Sequence, residues 1–541
     1  MSEKRMKISW KDKRLWTGSG VFLAMAAVAL RHLEDVRDGA VESGDYWLLG
    51  DYRNLFLCVL VVMAAVGYQL YFSRRYRLEK TFAVCILGLG FLYMCVLPPL
   101  SAPDEVGHYI TAYKLSNQMM GKPAVEEHGL VYIRREDAFI EDLYNAVEGG
   151  EDDPGKRVVL GQTVTEDTYR QFHNRSLIGL DAEGTEVSNI WTVRTTPLAY
   201  VPQAVGFTIA RLLSLSGIGL LFMGRFMNLL FYVGVTYLAM RKLPFGREVL
   251  FGVSLLPMTL HLVSSLSYDV MILALSGYFT AYTLHLAYEK EKVGVRDVAV
   301  LAVTAMVLVP CKMVYGTLLG LCFLIPVKKF GGWKQYLLSA FAVAAATVAA
   351  IYLVNSQVIA TYTAESSAYV DWAGEQGYTF SQVLTNQKLV LNMLYNTIVW
   401  QSEHYFLTML GGSLGNLDQI LDVPFVVLIT LCFCLLGLSF RKPGENLVIR
   451  RGQKLWIGFL ILASVAAVLL SMMVTYTPVT SRIISGVQGR YFLPVLPVFL
   501  IALKNNRVVL TGNYDKTIIY LMCGANCYAL LRLFGIVSMR L

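Results

Sequence analysis

The chain has 541 residues, of which 55% are hydrophobic and 16% are charged, and its mean hydropathy is +0.50. Average soluble domains carry about 25% charged residues, so the composition excludes a soluble protein and indicates a polytopic membrane protein. The net charge of +8 does not indicate nucleic-acid binding. The basic residues lie in short segments between apolar runs, as the positive-inside rule predicts for cytoplasmic loops.

Hydropathy predicts an all-α integral membrane protein with about 13 transmembrane helices. The basic N-terminus and first apolar run resemble a signal peptide. We favour an uncleaved first span, because a second span and a basic loop follow it, as an intact hairpin requires. The predicted spans are 15–32, 54–72, 80–99, 220–240, 248–266, 269–288, 296–311, 313–327, 335–354, 422–440, 455–475, 490–503 and 515–535.

Charge in the connections predicts the topology. With the N-terminus in the cytoplasm, every second connection lies inside and is basic, whereas the opposite orientation would place all of these connections outside. The inner connections are 74–77, 241–247, 290–296, 328–329, 441–454 and 504–507.

Two long segments, 101–219 and 355–421, then face the outside. The apolar stretch after Pro202 and residues 389–410 are long enough to be considered as spans, but counting either one would break the charge rule. We interpret the first as an interfacial helix and leave the second outside the membrane.

Three parts follow from this topology. Residues 1–79 form an N-terminal transmembrane hairpin, 80–510 form the membrane core with its outer segments, and 511–541 form a C-terminal transmembrane helix.

Cysteine positions and one loop exclude several kinds of site. All 9 cysteines lie in apolar runs, so the outer segments carry no disulfide framework, and Cys432 and Cys434 are interpreted as packing residues. The segment Gly150–Lys156 has the spacing of a phosphate-binding loop. Its three acidic residues and the Arg157 that replaces Ser or Thr exclude that function.

The strongest candidate site begins where a span ends at Pro98, Pro99 and Pro103. Asp104 and Glu105 follow at the start of a helix, and His108 lies on the same helix face as Asp104. Two carboxylates beside a bilayer are costly, which favours a general base or a metal ligand. The alternative is a plain N-cap with a favourable first-turn charge.

Two further groups lie on the same predicted side. Asp269 follows a Ser-rich turn between two spans, where it is either a second acidic site or a helix cap. Arg490 begins a span at its outer end, and Gly486, Gln488 and Gly489 precede it. We favour a specific phosphate site for its guanidinium over simple snorkelling to the lipid headgroups. Lys312 is a second unusual cation, which suits either a buried ion pair or a phosphate contact.

These segments together resemble the bacterial membrane-protein family called domain of unknown function 2142, which is related to the GT-C glycosyltransferases. The resemblance covers about Lys80 to Pro497. The motifs that carry it are Pro103-Asp104-Glu105-x-x-His108, Thr196-Pro197-Leu198-Ala199-Tyr200-Val201-Pro202-Gln203, Gly224-Arg225-Phe226-Met227-Asn228, Leu256-Pro257-Met258, Ser265-x-Ser267-x-Asp269, Gly412-x-x-Gly415-x-x-Asp418 and Gly486-Val487-Gln488-Gly489-Arg490-Tyr491.

The resemblance implies an enzyme that uses a polyprenyl-phosphate-linked sugar and has a catalytic Asp or Glu in its first large outer loop. Asp104 or Glu105 matches that position. Asp269 matches a second acidic site, which with Asp104 would hold a divalent cation such as Mg or Mn, although other GT-C enzymes need no metal.

We therefore expect a glycosyltransferase of the bacterial plasma membrane that glycosylates a cell-envelope acceptor, such as a surface polysaccharide or teichoic acid, on the outer face. Asp104 would be the base, oriented by Glu105 and His108. The donor phosphate would bind Arg490 and Gln488, with Lys312 and Arg225 as further cations. The alternatives are a flippase or transporter of lipid-linked oligosaccharides, and a polymerase or ligase of surface polysaccharide.

Overall fold

The chain folds into a bundle of α-helices with small additions of other secondary structure. This computed structural model describes residues 13–73, 76–141, 176–177, 179, 184–193, 195–363, 369–415, 421–445 and 449–539. The helices are α1 (Lys13–Ser43), α2 (Trp47–Gly67), α3 (Leu78–Val96), α4 (Glu105–Met119), α5 (Val201–Leu212), α6 (Gly217–Lys242), α7 (Arg247–Ser254), α8 (Pro257–Val263), α9 (Asp269–Tyr288), α10 (Val295–Cys311), α11 (Trp333–Thr363), α12 (Phe380–Thr385), α13 (Gln387–Leu410), α14 (Phe425–Ser439), α15 (Arg451–Tyr476), α16 (Leu496–Leu503) and α17 (Asp515–Met539).

Shorter elements connect these helices. A π-helical turn, Tyr68–Phe72, extends α2. Two small two-stranded antiparallel sheets lie in the predicted outer segments, with Tyr132 opposite Val187 in the first and Tyr369 opposite Gln376 in the second. The strands are β1 (Tyr132–Arg134), β2 (Thr185–Val187), β3 (Tyr369–Val370) and β4 (Glu375–Gln376), and the 3-10 helices are Arg135–Asp137, Pro197–Tyr200, Met313–Leu324, Val327–Phe330, Asp371–Ala373 and Gly489–Phe492.

Seven helices of the described part are long and apolar enough to cross a membrane, which confirms a polytopic membrane protein. The finer count of 13 spans stays a prediction, because several predicted spans correspond to shorter or broken elements. The seven are Trp47–Phe72, Leu78–Val96, Gly217–Lys242, Asp269–Tyr288, Trp333–Ser356, Arg451–Tyr476 and Asp515–Ser538.

Proline and glycine break two of the predicted spans. The predicted span 248–266 is divided between α7 and α8, and Pro257 is the first residue of α8 because proline lacks the N–H that a helix interior needs. The predicted span 490–503 consists of the 3-10 turn Gly489–Phe492 and the short helix α16. The stretch after Pro202 forms α5, whose 12 residues are about 18 Å long and too short to cross a bilayer of about 30 Å.

The predicted inner connections meet at one end of the bundle. Lys504 Nζ lies 2.7 Å from Glu248 Oε1, and Lys442 Nζ lies 2.7 Å from Asp515 Oδ2. Lys329 donates to the carbonyl oxygens of Leu286, Ala287 and Lys290 near the end of α9.

The predicted outer groups meet at the other end. Helix α9 separates the two ends: its 20 residues span about 30 Å between Asp269 and the inner connection that follows Tyr288. The predicted inner connections that these contacts link therefore lie at one end, while the topology as a whole and its orientation relative to the cytoplasm stay predictions.

Candidate functional site

Asp104 is exposed in an unusual backbone conformation at the start of α4. Three prolines follow α3 closely, and the chain turns back through Asp104, whose φ of 58° is left-handed. Asp tolerates this region better than most residues. The Asp104 side chain makes no capping hydrogen bond; instead Arg490 Nη2 donates to its Oδ2 at 2.9 Å. The capping explanation therefore does not hold for Asp104.

Arg490 links two carboxylates from distant parts of the chain. Its side chain is 3% exposed, and its Nε lies 3.6 Å from Asp269 Oδ2, which is too long for a hydrogen bond. Within the described residues, Nε and Nη1 of Arg490 are buried without a hydrogen-bond partner. Buried donors are normally paired, so a guanidinium with two free nitrogens indicates a place for an added acceptor.

Asp269 is the second carboxylate beside Arg490 and comes from a third segment of the chain. It is the first residue of α9 and is buried, and its own N–H donates to Ser267 Oγ at 3.2 Å. The N-cap of α9 is Tyr268, which makes no side-chain capping bond. Both carboxylates that sequence reasoning weighed as caps therefore face Arg490.

Two glycines let the Arg490 segment approach its neighbours. A Cβ on Gly489 would lie only 2.1 Å from the carbonyl oxygen of Tyr405 in α13, so only glycine fits there. The Gly489 N–H donates to Thr408 Oγ1 at 3.0 Å, which fixes the turn against α13. Gly486 has a φ of 75°, a conformation that side chains other than glycine rarely adopt.

The turn that presents Asp269 is held by buried side chains. Gln203 Nε2 donates to the carbonyl oxygens of Leu266 and Ser267, both at 3.2 Å. Asn228 Nδ2 donates to those of Ser265 at 2.8 Å and Ser267 at 3.1 Å.

Glu105 is one of the buried side chains that hold the Asp269 turn, and it does not face the open space beside Arg490. It is 1% exposed, and its two carboxylate oxygens accept from the N–H groups of Ala102 at 2.9 Å and Leu266 at 2.8 Å. A carboxylate occupied in this way ties the Asp104 loop to the Asp269 turn. The geometry does not support a role for Glu105 on the reacting groups, and its role in orienting Asp104 stays a prediction.

Arg225 also serves the support. It is fully buried in α6 and donates to the carbonyl oxygens of Ser264 at 2.6 Å, Met94 at 3.2 Å and Leu97 at 3.0 Å. Because all three of its nitrogens have protein acceptors, the geometry does not support the predicted contact of Arg225 with a donor phosphate.

His108 lies under the site as a neutral group. Its Nδ1 lies 2.8 Å from Tyr200 Oη, and its Nε2 is buried without a partner among the described residues. Burial lowers the pKa of His108 to about 4, against a partial opposing effect of Asp104. His108 is therefore neutral at pH 7, and its free ring nitrogen can exchange a hydrogen bond with a ligand but not supply a permanent charge.

Lys312 and Gln488 lie beside Arg490. Lys312 Nζ is 3.3 Å from the centre of the Tyr491 ring, a cation–π contact, and burial lowers the pKa of Lys312 to about 8 despite the opposing charge of Asp269. Gln488 Oε1 is a further buried atom that has no partner in the part of the chain described. The two predicted phosphate contacts are thus near Arg490, unlike Arg225.

The charges of the site stabilise one another. Desolvation by the surrounding protein is the largest single effect on Asp104 and works against its charged form, but the nearby cationic groups, led by the Arg490 guanidinium, together outweigh it and hold the pKa of the carboxyl below its usual range. Burial alone would lower the pKa of Arg490, whereas Tyr491, Asp269 and Asp104 raise it above its ordinary value. At neutral pH Asp104 is therefore a carboxylate beside a permanently charged guanidinium.

A metal fits this arrangement poorly. Among the described residues, no group of three or more His, Cys, Asp or Glu side chains lies close enough to hold a metal ion. Asp104 and Asp269, the predicted pair, both face Arg490, and the guanidinium takes the position between them that a cation would need. We derive no step through Mg or Mn.

Some residues of the motifs have roles that sequence reasoning missed. Tyr200 contacts His108, and Gln203 and Asn228 hold the Asp269 turn. Their signal was present as polar residues within apolar runs. The hydrogen-bond partner of each residue could not be predicted from its spacing along the sequence. Asp418 and the loop Gly150–Lys156 lie outside the described residues.

The fold and the site define a polytopic α-helical membrane protein with a charged site built from three segments that are distant in sequence. The chain belongs to the family described as predicted membrane protein (DUF2142), whose model matches residues 85–499. This match agrees with the range over which the motifs resemble that family. No curated protein and no solved structure matches the chain.

Proposed function

We propose that the protein is a glycosyltransferase that moves a sugar from a polyprenyl-phosphate donor to a cell-envelope acceptor outside the bacterial plasma membrane. The observation that carries the proposal is Arg490, a permanently charged side chain with two buried nitrogens free of hydrogen bonds. A phosphate is the ligand that such a fork binds best. The exposed Asp104 carboxylate beside it is the group that can accept a proton.

In the proposed reaction the acceptor hydroxyl oxygen attacks the anomeric carbon of the donor sugar. The bond from that carbon to the phosphate oxygen breaks, and its electron pair leaves with the polyprenyl phosphate, where Arg490 stabilises the charge. The hydroxyl proton passes to Asp104. A phosphate leaving group needs no protonation by an acid, in contrast with the carboxylate pair of glycoside hydrolases.

Because Asp104 and Arg490 form an ion pair, the donor would bind before Asp104 becomes an effective base. Asp104 is a weak base while Arg490 holds its pKa down. When a donor phosphate binds the Arg490 guanidinium, the guanidinium lowers the pKa of Asp104 less. The Asp104 carboxylate then becomes a stronger base. Lys312 lies close enough to Arg490 to add a second positive charge, and His108 Nε2 and Gln488 Oε1 are free to position the sugar.

The direct test uses purified protein, radiolabelled polyprenyl-phosphate sugars and isolated cell wall. We expect label in the wall fraction with the native chain and none with Asp104→Asn. Asp371→Asn is the matched control, since Asp371 is an exposed carboxylate of the second outer segment. Label that only crosses between leaflets of a vesicle would instead identify a flippase, and label that joins two lipid-linked chains would identify a polymerase or ligase.

A further inference from the structure

An apolar cleft lies at the inner end of the bundle, away from the Asp104–Arg490 site. It is bounded by the first turns of α10, by the 3-10 helix Met313–Leu324 and by the first turns of α11. Its cavity volume is about 180 Å³, and it opens to the surface through a wider mouth. The lining residues are Val298, Leu301, Leu319, Gly320, Cys322, Phe323, Ile325, Phe330, Tyr336, Ser339, Ala340, Val343 and Ala344.

The cleft is recessed into a surface that faces hydrocarbon. Leu337, Leu338 and Phe341 of α11 are 60%, 70% and 70% exposed, which a soluble surface would not tolerate but a bilayer favours. Between them, Ala340 and Ala344 leave room because their side chains are small. The recess therefore opens to the acyl chains of the surrounding membrane.

Basic residues stand at the polar end of the cleft. Lys328 and Lys334 are exposed and lie two residues before the lining residues Phe330 and Tyr336. Neither lysine has a carboxylate partner within the described ranges, whereas Lys329 between them donates to three carbonyl oxygens. Trp333, 66% exposed, is of the residue type that marks a membrane–water interface.

We propose that this cleft binds an anionic phospholipid, with one acyl chain in the recess and the headgroup phosphate on Lys328 and Lys334. An apolar recess suits a flexible acyl chain, and two exposed lysines close in sequence to its lining residues suit a negative headgroup. The site is independent of the proposed transfer reaction, because it lies at the opposite end of α10 from Lys312.

The test measures lipid binding to the purified full chain by native mass spectrometry, with phosphatidylglycerol and phosphatidylcholine as probes. We expect phosphatidylglycerol to bind more tightly. The double substitution Lys328→Gln with Lys334→Gln should weaken its binding about 30-fold, since each basic residue near a headgroup contributes about a factor of five. The control, Lys292→Gln with Arg241→Gln, removes the same charge from exposed positions outside the cleft and should bind as the native chain does.

A second variant tests the recess itself. Ala340→Phe fills it with a ring at an exposed position and should reduce binding of both lipids. Equal binding of the two lipids by the native chain, or native binding by Ala340→Phe, would overturn the proposal. Loss of a dimer in Ala340→Phe, with lipid binding unchanged, would instead assign the cleft to contact with a second copy of the chain.

Discussion

At the scale of single residues, two adjacent carboxylates have different tasks. Asp104 is exposed and, within the described part of the chain, its side chain pairs with Arg490, while Glu105 is buried and accepts from two backbone N–H groups. Removing an exposed partner costs little, whereas removing a buried one leaves unsatisfied groups and costs about 1–3 kcal/mol or more. Substitution of Asp104 should therefore affect activity, whereas substitution of Glu105 should affect folding.

Asp104→Asn should lower the transfer rate by about 10²- to 10⁴-fold, because the base is lost. It should also tighten the binding of a polyprenyl phosphate up to about 5-fold, since the carboxylate no longer competes for Arg490 and an exposed ion pair is worth at most about 1 kcal/mol. Binding can be measured by isothermal titration in detergent. Weaker binding of the phosphate by Asp104→Asn would contradict the shared use of Arg490.

Arg490→Lys should reduce kcat/KM for the donor by about 10- to 100-fold. Lysine keeps the charge but lacks the planar fork, so it cannot hold both carboxylates and a phosphate, and the loss of one charge-assisted hydrogen bond costs about 1.5–3 kcal/mol. Donor titrations at saturating acceptor measure the effect. The control is Arg482→Lys, an exposed position of the same outer loop; an equal loss in both variants would mean that Arg490 has no special role.

At the scale of the elements, the site depends on one close contact between a turn and a helix. Gly489→Ala places a Cβ 2.1 Å from the Tyr405 carbonyl oxygen and 2.2 Å from the Met409 amide nitrogen, so the Arg490 turn must move away from α13. We expect transfer to fall at least 100-fold, because a displacement of about 1 Å at a reacting centre has this effect.

The control is Gly452→Ala. Gly452 lies in α15 with open space around its Cβ position, and alanine there should stabilise the helix by about 0.5–1 kcal/mol. Activity and thermal unfolding should be measured for both variants. Native activity in Gly489→Ala would show that the turn does not need this contact.

The elements also show what the sequence can and cannot predict. Hydropathy correctly located most helices, and the prolines correctly placed the start of α4 at Glu105. The left-handed φ of Asp104 and its pairing with Arg490, 386 residues away, could not be predicted, because spacing along one helix says nothing about a partner from another segment. Arg225 was wrongly grouped with the phosphate contacts for the same reason: its acceptors are backbone carbonyls that carry no sequence signal.

At the scale of the whole molecule, the charged connections divide into two ends with different chemistry. At the inner end, Lys442 and Lys504 pair with carboxylates and Lys329 pairs with carbonyl oxygens at a helix C-terminus, whereas Lys328 and Lys334 are exposed. The outer end leaves donors and acceptors without partners around Arg490 and His108, as far as the described residues go. The proposed transfer site and the proposed lipid cleft therefore lie at opposite ends of the molecule.

Stability should depend on pH through His108. The folded state holds it neutral with a pKa of about 4, whereas the unfolded chain has the ordinary value of about 6.5. Between these values the unfolded state binds more protons, so the free energy of unfolding falls as the pH drops from about 6.5 to about 4, by about 3 kcal/mol in total.

Thermal unfolding in detergent between pH 4 and pH 8 measures this dependence. His108→Gln should reduce it, while His128→Gln, at an exposed position of the first outer segment, should not. An unchanged pH dependence in His108→Gln would mean that His108 is not the group that titrates.

The position of Arg490 between Asp104 and Asp269 also bears on how the proposed transfer reaction would end. Once the sugar has left, the spent carrier keeps its phosphate and would inhibit the next round by holding the guanidinium. Asp104 gives up its proton to water and is then an anion that can reclaim Arg490 from the carrier. A chain that supplies its own anion beside the cation can exchange one lipid carrier for the next without waiting for a slow spontaneous dissociation.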